Sequence, residues 1–275
     1  MNITKVLKYS LGLIFILFFH FNSFSSDILF SSLGIKEGLS HLSVYSIHQD
    51  ETGALWFGTR QGLNHFDGIR LKHVRINPEP EDLVDFTIWS IAGDNNGSLY
   101  LLADKNLIRY DLENQKFETL TKGNIDGFFY QNHQPYIVIS DEIFHFNPET
   151  REKTFFAKLE ASQLPVKRII HGSQGVVWIA TNSGLIKCNT DGNVENTYFK
   201  NKQITALFED SHKSLWIGTR ENGAYRFNPH NETTISMLTE ISNNEVRSFQ
   251  EDENGEIWIG TFQGLFRVNL KTGHL

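Results

Sequence analysis

Apolar and polar positions alternate over short runs along most of this chain, and the runs are separated by turns rich in Gly, Asp and Asn, as in half-buried strands. The pattern repeats. Residues 252–265 (DENGEIWIGTFQGL) nearly duplicate residues 50–63 (DETGALWFGTRQGL). In both, Asp stands six positions before a Trp and Gly three before it. Gly-Thr follows at two and three positions after the Trp, and Gly-Leu at six and seven. Aligning on this aromatic gives six copies, anchored at Trp56, Tyr100, Tyr136, Trp178, Trp216 and Trp258, with spacings of 44, 36, 42, 38 and 42 residues. Apolar pairs recur twelve and nine positions upstream: Val44/Ile47, Ile88/Ile91, Val166/Ile169, Ile204/Leu207 and Val246/Phe249.

Within the first copy, Val44–Gln49, Leu55–Thr59, 63–66 and 69–74 read as four strands, with tight turns at 50–53 and 61–62. Asp bonds nearby backbone amides in such turns and Gly tolerates positive φ. Four strands per roughly 40–45 residues, with the aromatic facing the next unit, is the blade of a β-propeller. Helical pairs at this period are disfavoured by six Pro, 21 Gly and the lack of a 3.6-residue apolar period outside the first residues. The expected fold is all-β, a propeller of six four-stranded blades over residues 27–275. Copy three keeps the least of the pattern and is expected to be distorted. Residues 76–87 read as a long connection between the first two blades. Copy six ends before a fourth strand of its own, and the apolar run 28–33 has no earlier blade to join. That run is expected to supply the missing outer strand, antiparallel to residues 264–269, because an open edge invites association. The alternative is a seven-bladed or larger ring, cut short.

The pattern V-x-x-I-x-x-D-x-x-G-x-x-W-x-G-T-x-x-G-L resembles the two-component regulator propeller repeat, and Gly38-Leu39-Ser40 is similar to the usual opening of that repeat. The resemblance is close in copies one and six and good in copy five, where Lys213 replaces the turn Gly. Copy four has Gly172 for Asp and Ala180 for Gly, and copy two has Tyr100 for Trp and Leu102-Ala103 for Gly-Thr. The family forms the extracytoplasmic sensor region of bacterial hybrid histidine kinases and of some diguanylate cyclases. It implies a non-enzymatic propeller that binds a ligand and biases an output domain. This chain shows no kinase, receiver, cyclase or DNA-binding segment, so the resemblance implies a fragment of a longer receptor or a module needing a partner protein.

Residues 1–26 combine Lys5 and Lys8 with an apolar run at 11–21 and small residues at Ser23 and Ser25. This is the layout of a secretory signal peptide, cleaved near Ser25 or Ser26. The run is short for a membrane span, so the alternative is an uncleaved N-terminal anchor, the one expected contact with a membrane. A periplasmic or exported location follows. The net charge of −7 is spread along the chain, without the basic patch that nucleic acid requires. The single cysteine, Cys188, allows no internal disulfide and reads as a small buried hydrophobe.

The eleven His fall into no metal-ligand spacing and there is no CxxC, so neither a metal nor a cofactor is expected. No nucleophile elbow or phosphate-cradling Gly loop is present, and no catalytic residue is assigned. Asp50, Asp94, Asp210 and Asp252 recur with the period and are read as turn-formers, and Trp56, Trp178, Trp216 and Trp258 as core between blades. Binding residues are sought where copies differ, in loops held on the rigid frame. The loops between second and third strands carry Arg60-Gln61, Lys105-Asn106, Asp141-Glu142, Asn182-Ser183, Arg220-Glu221-Asn222 and Phe262-Gln263. The lead-in loops add His41, Phe86, Lys202 and Asn244. Of these, His41, Arg60, Gln61, Lys105, Asn182, Arg220, Glu221, Asn222, Phe262 and Gln263 are the candidate ligand contacts, and their mixture suits a small polar ligand such as an oligosaccharide. Two other readings are a metal-dependent lyase resembling the streptogramin lyases, whose repeats share a D-x-x-G-x-x-W core, and a protein–protein interaction platform.

Overall fold

The computed structural model describes residues 30–75, 86–131, 133–172, 175–236 and 245–270. The leader at 1–26, nearly all of the 76–87 connection, Asn244 and residues 271–275 lie outside the described residues. The fold is a six-bladed β-propeller. Each sequence copy forms one antiparallel sheet in which consecutive strands pair in order. In blade one these are Val44–Gln49, Leu55–Thr59, Gly62–Phe66 and Leu71–Val74. The first strands of the later blades are Ile88–Gly93, Gly127–Gln131, Arg168–His171, Ile204–Glu209 and Val246–Glu251. First strands of successive blades lie side by side and form the inner edge of the propeller.

Copy three builds a complete four-stranded sheet despite its weak motif. Tyr136 is buried there in place of Trp, packed on Phe156 with ring centroids 5.1 Å apart. A continuous apolar run on the second strand, Tyr136 to Val138, preserves the blade after the turn signature is lost, and its four strands pair in order without the expected distortion. The expected closing strand is not formed. Residues 30–33 are irregular, with Phe30 73% exposed, and the sixth sheet has three strands among the described residues; residues 28 and 29 lie outside them. A short apolar run carries no information about its pairing partner. The lead-in that follows is pinned to blade one instead. Ser40 donates from its backbone N–H to Asn64 Oδ1 at 2.9 Å, its hydroxyl lies 2.9 Å from that of Thr59, and Leu39 is buried.

Two devices explain the repeat. The first joins turn to core. The Asp50 carboxylate accepts from the backbone of Thr52 and Ala54, and from Trp56 Nε1 at 2.7 Å. Asp210 repeats this with Ser214 and Trp216 Nε1, as does Asp252 with Asn254, Glu256 and Trp258 Nε1. Asp94 accepts from Asn96 and Ser98. One side chain thus satisfies the turn and fixes the indole beneath it. The second device joins blade to blade. A methyl group on Gly58 would come within 2.7 Å of Ile88 Cγ2, and one on Gly218 within 2.6 Å of Val246 Cγ1. Each Gly admits the first apolar residue of the next blade. The adjacent Thr59 and Thr219 hydroxyls close the following turn, donating to Gly62 O and Gly223 O.

The first and last blades each leave one such face open. Ile91, Ile169, Leu207 and Phe249 are buried against the preceding blade, but their counterpart Ile47 is 62% exposed. Leu63, Leu107, Ile143, Leu185 and Ala224 are fully buried against the next blade, whereas Leu265 is 51% exposed. Trp258 is accordingly half-buried, unlike Trp56, Trp178 and Trp216, which departs from the expectation that all four Trp are core. Leu63→Ala should lower stability by about 2–5 kcal/mol, and Leu265→Ala by less than about 1 kcal/mol. Equal losses in urea denaturation would show that the two terminal faces meet in solution.

Burial also lowers the pKa of His48, His145 and His171, and the charge of His145 adds to the effect at His171. Tyr136 stacks near both of the latter, at 4.5 and 5.4 Å between centroids. Unfolded chains take up protons at His below about pH 6.5, whereas these folded sites take them up only at lower pH. Stability is therefore unaffected above that value and declines as pH falls through the window below it. The slope between pH 7 and 5 should be shallower in the His145→Gln/His171→Gln double variant than in the parent; an unchanged slope would refute the assignment.

Candidate functional site

The loops singled out in the sequence share one rim. In each of five blades the loop after the second strand is tied to the lead-in of its own first strand: Arg60 N–H donates to Ser43 O, Asp104 to Thr87, Asn182 to Gln163, Arg220 to Gln203 and Phe262 to Glu245. Further bonds run to the next blade, as from Gly62 N–H to Phe86 O at 2.8 Å. The Asp-capped turns join the opposite ends of the first and second strands.

On this rim the candidates divide. His41 accepts the Ser43 N–H at its Nδ1, and Asn182 donates to Leu164 O at 2.8 Å, so both serve the loops themselves. Phe86 is buried between the first two blades. Lys105 pairs with Asp126 at 3.1 Å, Arg220 with Gln203 at 3.3 Å, and Asn222 accepts from Lys202 Nζ at 3.2 Å. Arg60, Gln61, Glu221 and Gln263 are exposed, and Phe262 is 77% exposed. They fall on three loops of three different blades, the first, fifth and sixth.

The inner edge shows a second set that pattern reading passed over. In blades one, two, five and six the first strand carries a β-bulge at the same register, and the extra residues are Tyr45, Trp89, Thr205 and Arg247. Asp126 and Lys167 take the corresponding places in blades three and four, their N–H groups donating to Val138 O and Ala180 O. A bulge turns its extra residue out of the alternating packing. Tyr45 and Trp89 are accordingly 45% and 49% exposed, with rings 4.6 Å apart across the blade boundary. The next residue is small in five blades (Ser46, Ser90, Gly127, Ala206 and Ser248) and Arg168 in the fourth. Arg168 is exposed to solvent, yet desolvation by the surrounding protein lowers its pKa. It stands between the first strands of the third and fifth blades, and arginine stays charged there. Arg247 pairs with Glu245 at 3.1 Å. Among the described residues, the side chains of Lys167 and Arg168 have no ion-pair or hydrogen-bond partner. The signal available in sequence was the variable residue beside each upstream apolar position.

Among the described residues, no group of three or more His, Cys, Asp or Glu is placed to hold a metal ion. Cys188 is fully buried, and burial pushes its thiol pKa up to about 11, which leaves it unreactive.

Comparison with known proteins bears on this architecture. The family model for the two component regulator propeller matches residues 38–61, 198–221 and 240–263. Each match contains a Gly-Thr element and its following turn. The chain carries two-component regulator propeller repeats. The histidine kinase P4 of Formosa agariphila is 43% identical over 75 residues, which is 26% of this chain and 6% of that protein. The extracellular domain of a hybrid two-component system of B. thetaiotaomicron superposes with a TM-score of 0.72 at 23% identity, over 88% of this chain and 36% of that one. The chain therefore spans about a third of that domain. Virginiamycin B lyase of Staphylococcus aureus has a TM-score of 0.67 at 14% identity, over 83% of this chain and 82% of the lyase. At these identities the two structures show the fold alone. Among the described residues, no helix of these propeller repeats is long and apolar enough to cross a membrane.

The regulator-propeller Asp is most deeply engaged in copy five, where Asp210 is 1% exposed and also meets Arg226 at 3.2 Å. Asp210→Ala strands both Arg226 and the Trp216 N–H and should cost about 3 kcal/mol or more. Affinity for any ligand of the rim or inner edge should persist once the variant is folded at low temperature. Loss of binding with unchanged melting would contradict a purely structural role for this carboxylate.

Proposed function

We propose that this chain is a non-enzymatic, extracytoplasmic ligand-binding propeller of a two-component-type signalling receptor. The observation that carries the reading is the division of labour among its residues. Those that repeat with the period are spent on turns and blade contacts, and those that vary between copies line one rim and the inner edge. The matches to regulator-propeller repeats and to extracellular sensor domains support the same reading. A small polar ligand such as an oligosaccharide would bind there and shift an output domain, joined to the propeller or recruited by it. The lyase reading is weaker, since the carboxylate in the inner-edge set, Asp126, is engaged by Lys105 and by the Ser140 N–H.

A thermal-shift screen of the purified protein against an oligosaccharide library tests this. A ligand that binds only the folded state raises the melting temperature in a saturable way, by mass action. A saturable shift without turnover of the sugar is expected. Consumption of the sugar would favour the enzyme, and no shift with any sugar class would remove the oligosaccharide reading.

A further inference from the structure

The sensor reading leaves open which surface holds the ligand and what chemistry it selects. We infer that the inner edge, through the Tyr45–Trp89 pair and the Lys167–Arg168 cations, binds an anionic saccharide: a sugar ring with an apolar C–H face that also bears a carboxylate or sulfate. The inference rests on the proposed sensor function and narrows it.

Three features argue for it. Large aromatics are costly to leave in water, and Tyr45 and Trp89 stand exposed at the same register of neighbouring blades, with ring centroids 4.6 Å apart and planes tilted by 37°. Rigid aromatic pairs of this kind present flat, amphipathic contact area at low entropy cost. The register position that follows is small in five blades, where first strands crowd together, and only blade four places a long cation there. Finally, among the described residues that cation has no counter-ion. A guanidinium flanked by the first strands of two neighbouring blades gives up part of its hydration, which an anionic ligand can offset by a bidentate, charge-assisted pair. Lys167 stands one residue away at the bulge position and is exposed like Arg168, so two positive charges lie on adjacent residues of this edge. In a chain with a net charge of −7, this local excess of positive charge is the opposite of the average surface. Shared register puts the aromatic and cationic residues at the same height on the inner edge, on non-adjacent blades, which suits an oligosaccharide more than a single sugar.

Calorimetric titration with three probes of matched length tests the inference: an oligogalacturonate, a chondroitin-sulfate oligosaccharide and a malto-oligosaccharide. At least one anionic probe should bind, with affinity falling as salt rises, and the neutral probe should bind at least tenfold more weakly. Arg168→Gln and Trp89→Ala should each reduce that affinity tenfold or more, and Arg168→Lys should restore part of it. Both residues are exposed, so melting temperatures should stay near that of the parent. The anionic probe should also quench or shift the Trp89 contribution to fluorescence, and Trp89→Phe should remove that signal. Neutral and anionic probes binding alike, or binding untouched by Arg168→Gln and Trp89→Ala, would overturn the inference. If binding were lost instead on Arg60→Ala or Phe262→Ala, the rim would be the site, and the sensor reading would stand without this one. If no probe of either kind bound, the inner-edge assignment would fail outright.

Discussion

The interface between neighbouring blades is the constraint on which everything else in this propeller depends. At its centre a glycine on the second strand leaves room for one aliphatic side chain of the following blade, Ile88 against Gly58 and Val246 against Gly218. A methyl group in that gap would overlap the neighbour, so the two residues are chosen together although they lie about thirty positions apart. The indole of Trp56 packs beside the same contact, held by Asp50 from below. The Asp, Gly, Trp and Gly-Thr positions of the repeat therefore form one mechanical unit. Their recurrence reports on assembly and carries no information about a ligand.

That unit explains why blade count and strand order were legible from sequence while closure was not. Trp258 and Trp56 sit in nearly identical local sequences, with the same Asp and the same Gly-Thr, and the local hydrogen bonds are the same in both. Yet Trp56 is core and Trp258 is half-buried. The difference comes from what stands opposite, and a residue's own sequence neighbourhood cannot encode that. Leu265 and Leu63 make the same point. Copy three shows the converse: its motif is nearly gone, but Tyr136, Ile137 and Val138 form a continuous apolar run buried on both faces, and the blade forms. Burial of the second strand on both faces is thus the stronger determinant, and the turn signature refines it.

The candidate site was legible in part. The rim loops were located correctly because second-to-third-strand loops must emerge at one end of a meander. Their side-chain chemistry was not, since a polar loop residue can be consumed by its own loop, as His41 and Asn182 are. The inner-edge set escaped for a geometric reason. An alternating strand pattern assigns Tyr45 and Trp89 to one face of a sheet, whereas the bulge adds one residue and redirects both. A bulge changes register by one without any mark in composition, and only the pairing of Val44 with Thr59 and Ser46 with Gly58 reveals it.

Placement on the inner edge also changes what a charge is worth. Arg60 on the rim projects into water, where ions screen it within about a Debye length, near 8–10 Å. Its attraction for an anion is shared with any lysine on the surface. Arg168 stands between the first strands of the third and fifth blades, and desolvation lowers its pKa although the side chain is exposed. There the field is less screened, and water competes less well for the guanidinium. The same desolvation penalises an empty site, because the charge has lost hydration without gaining a partner. A partly desolvated arginine therefore discriminates between anionic and neutral guests more sharply than several fully hydrated ones. A propeller frame supplies such flanking without a closed cavity, since the first strands of all its blades converge on one axis.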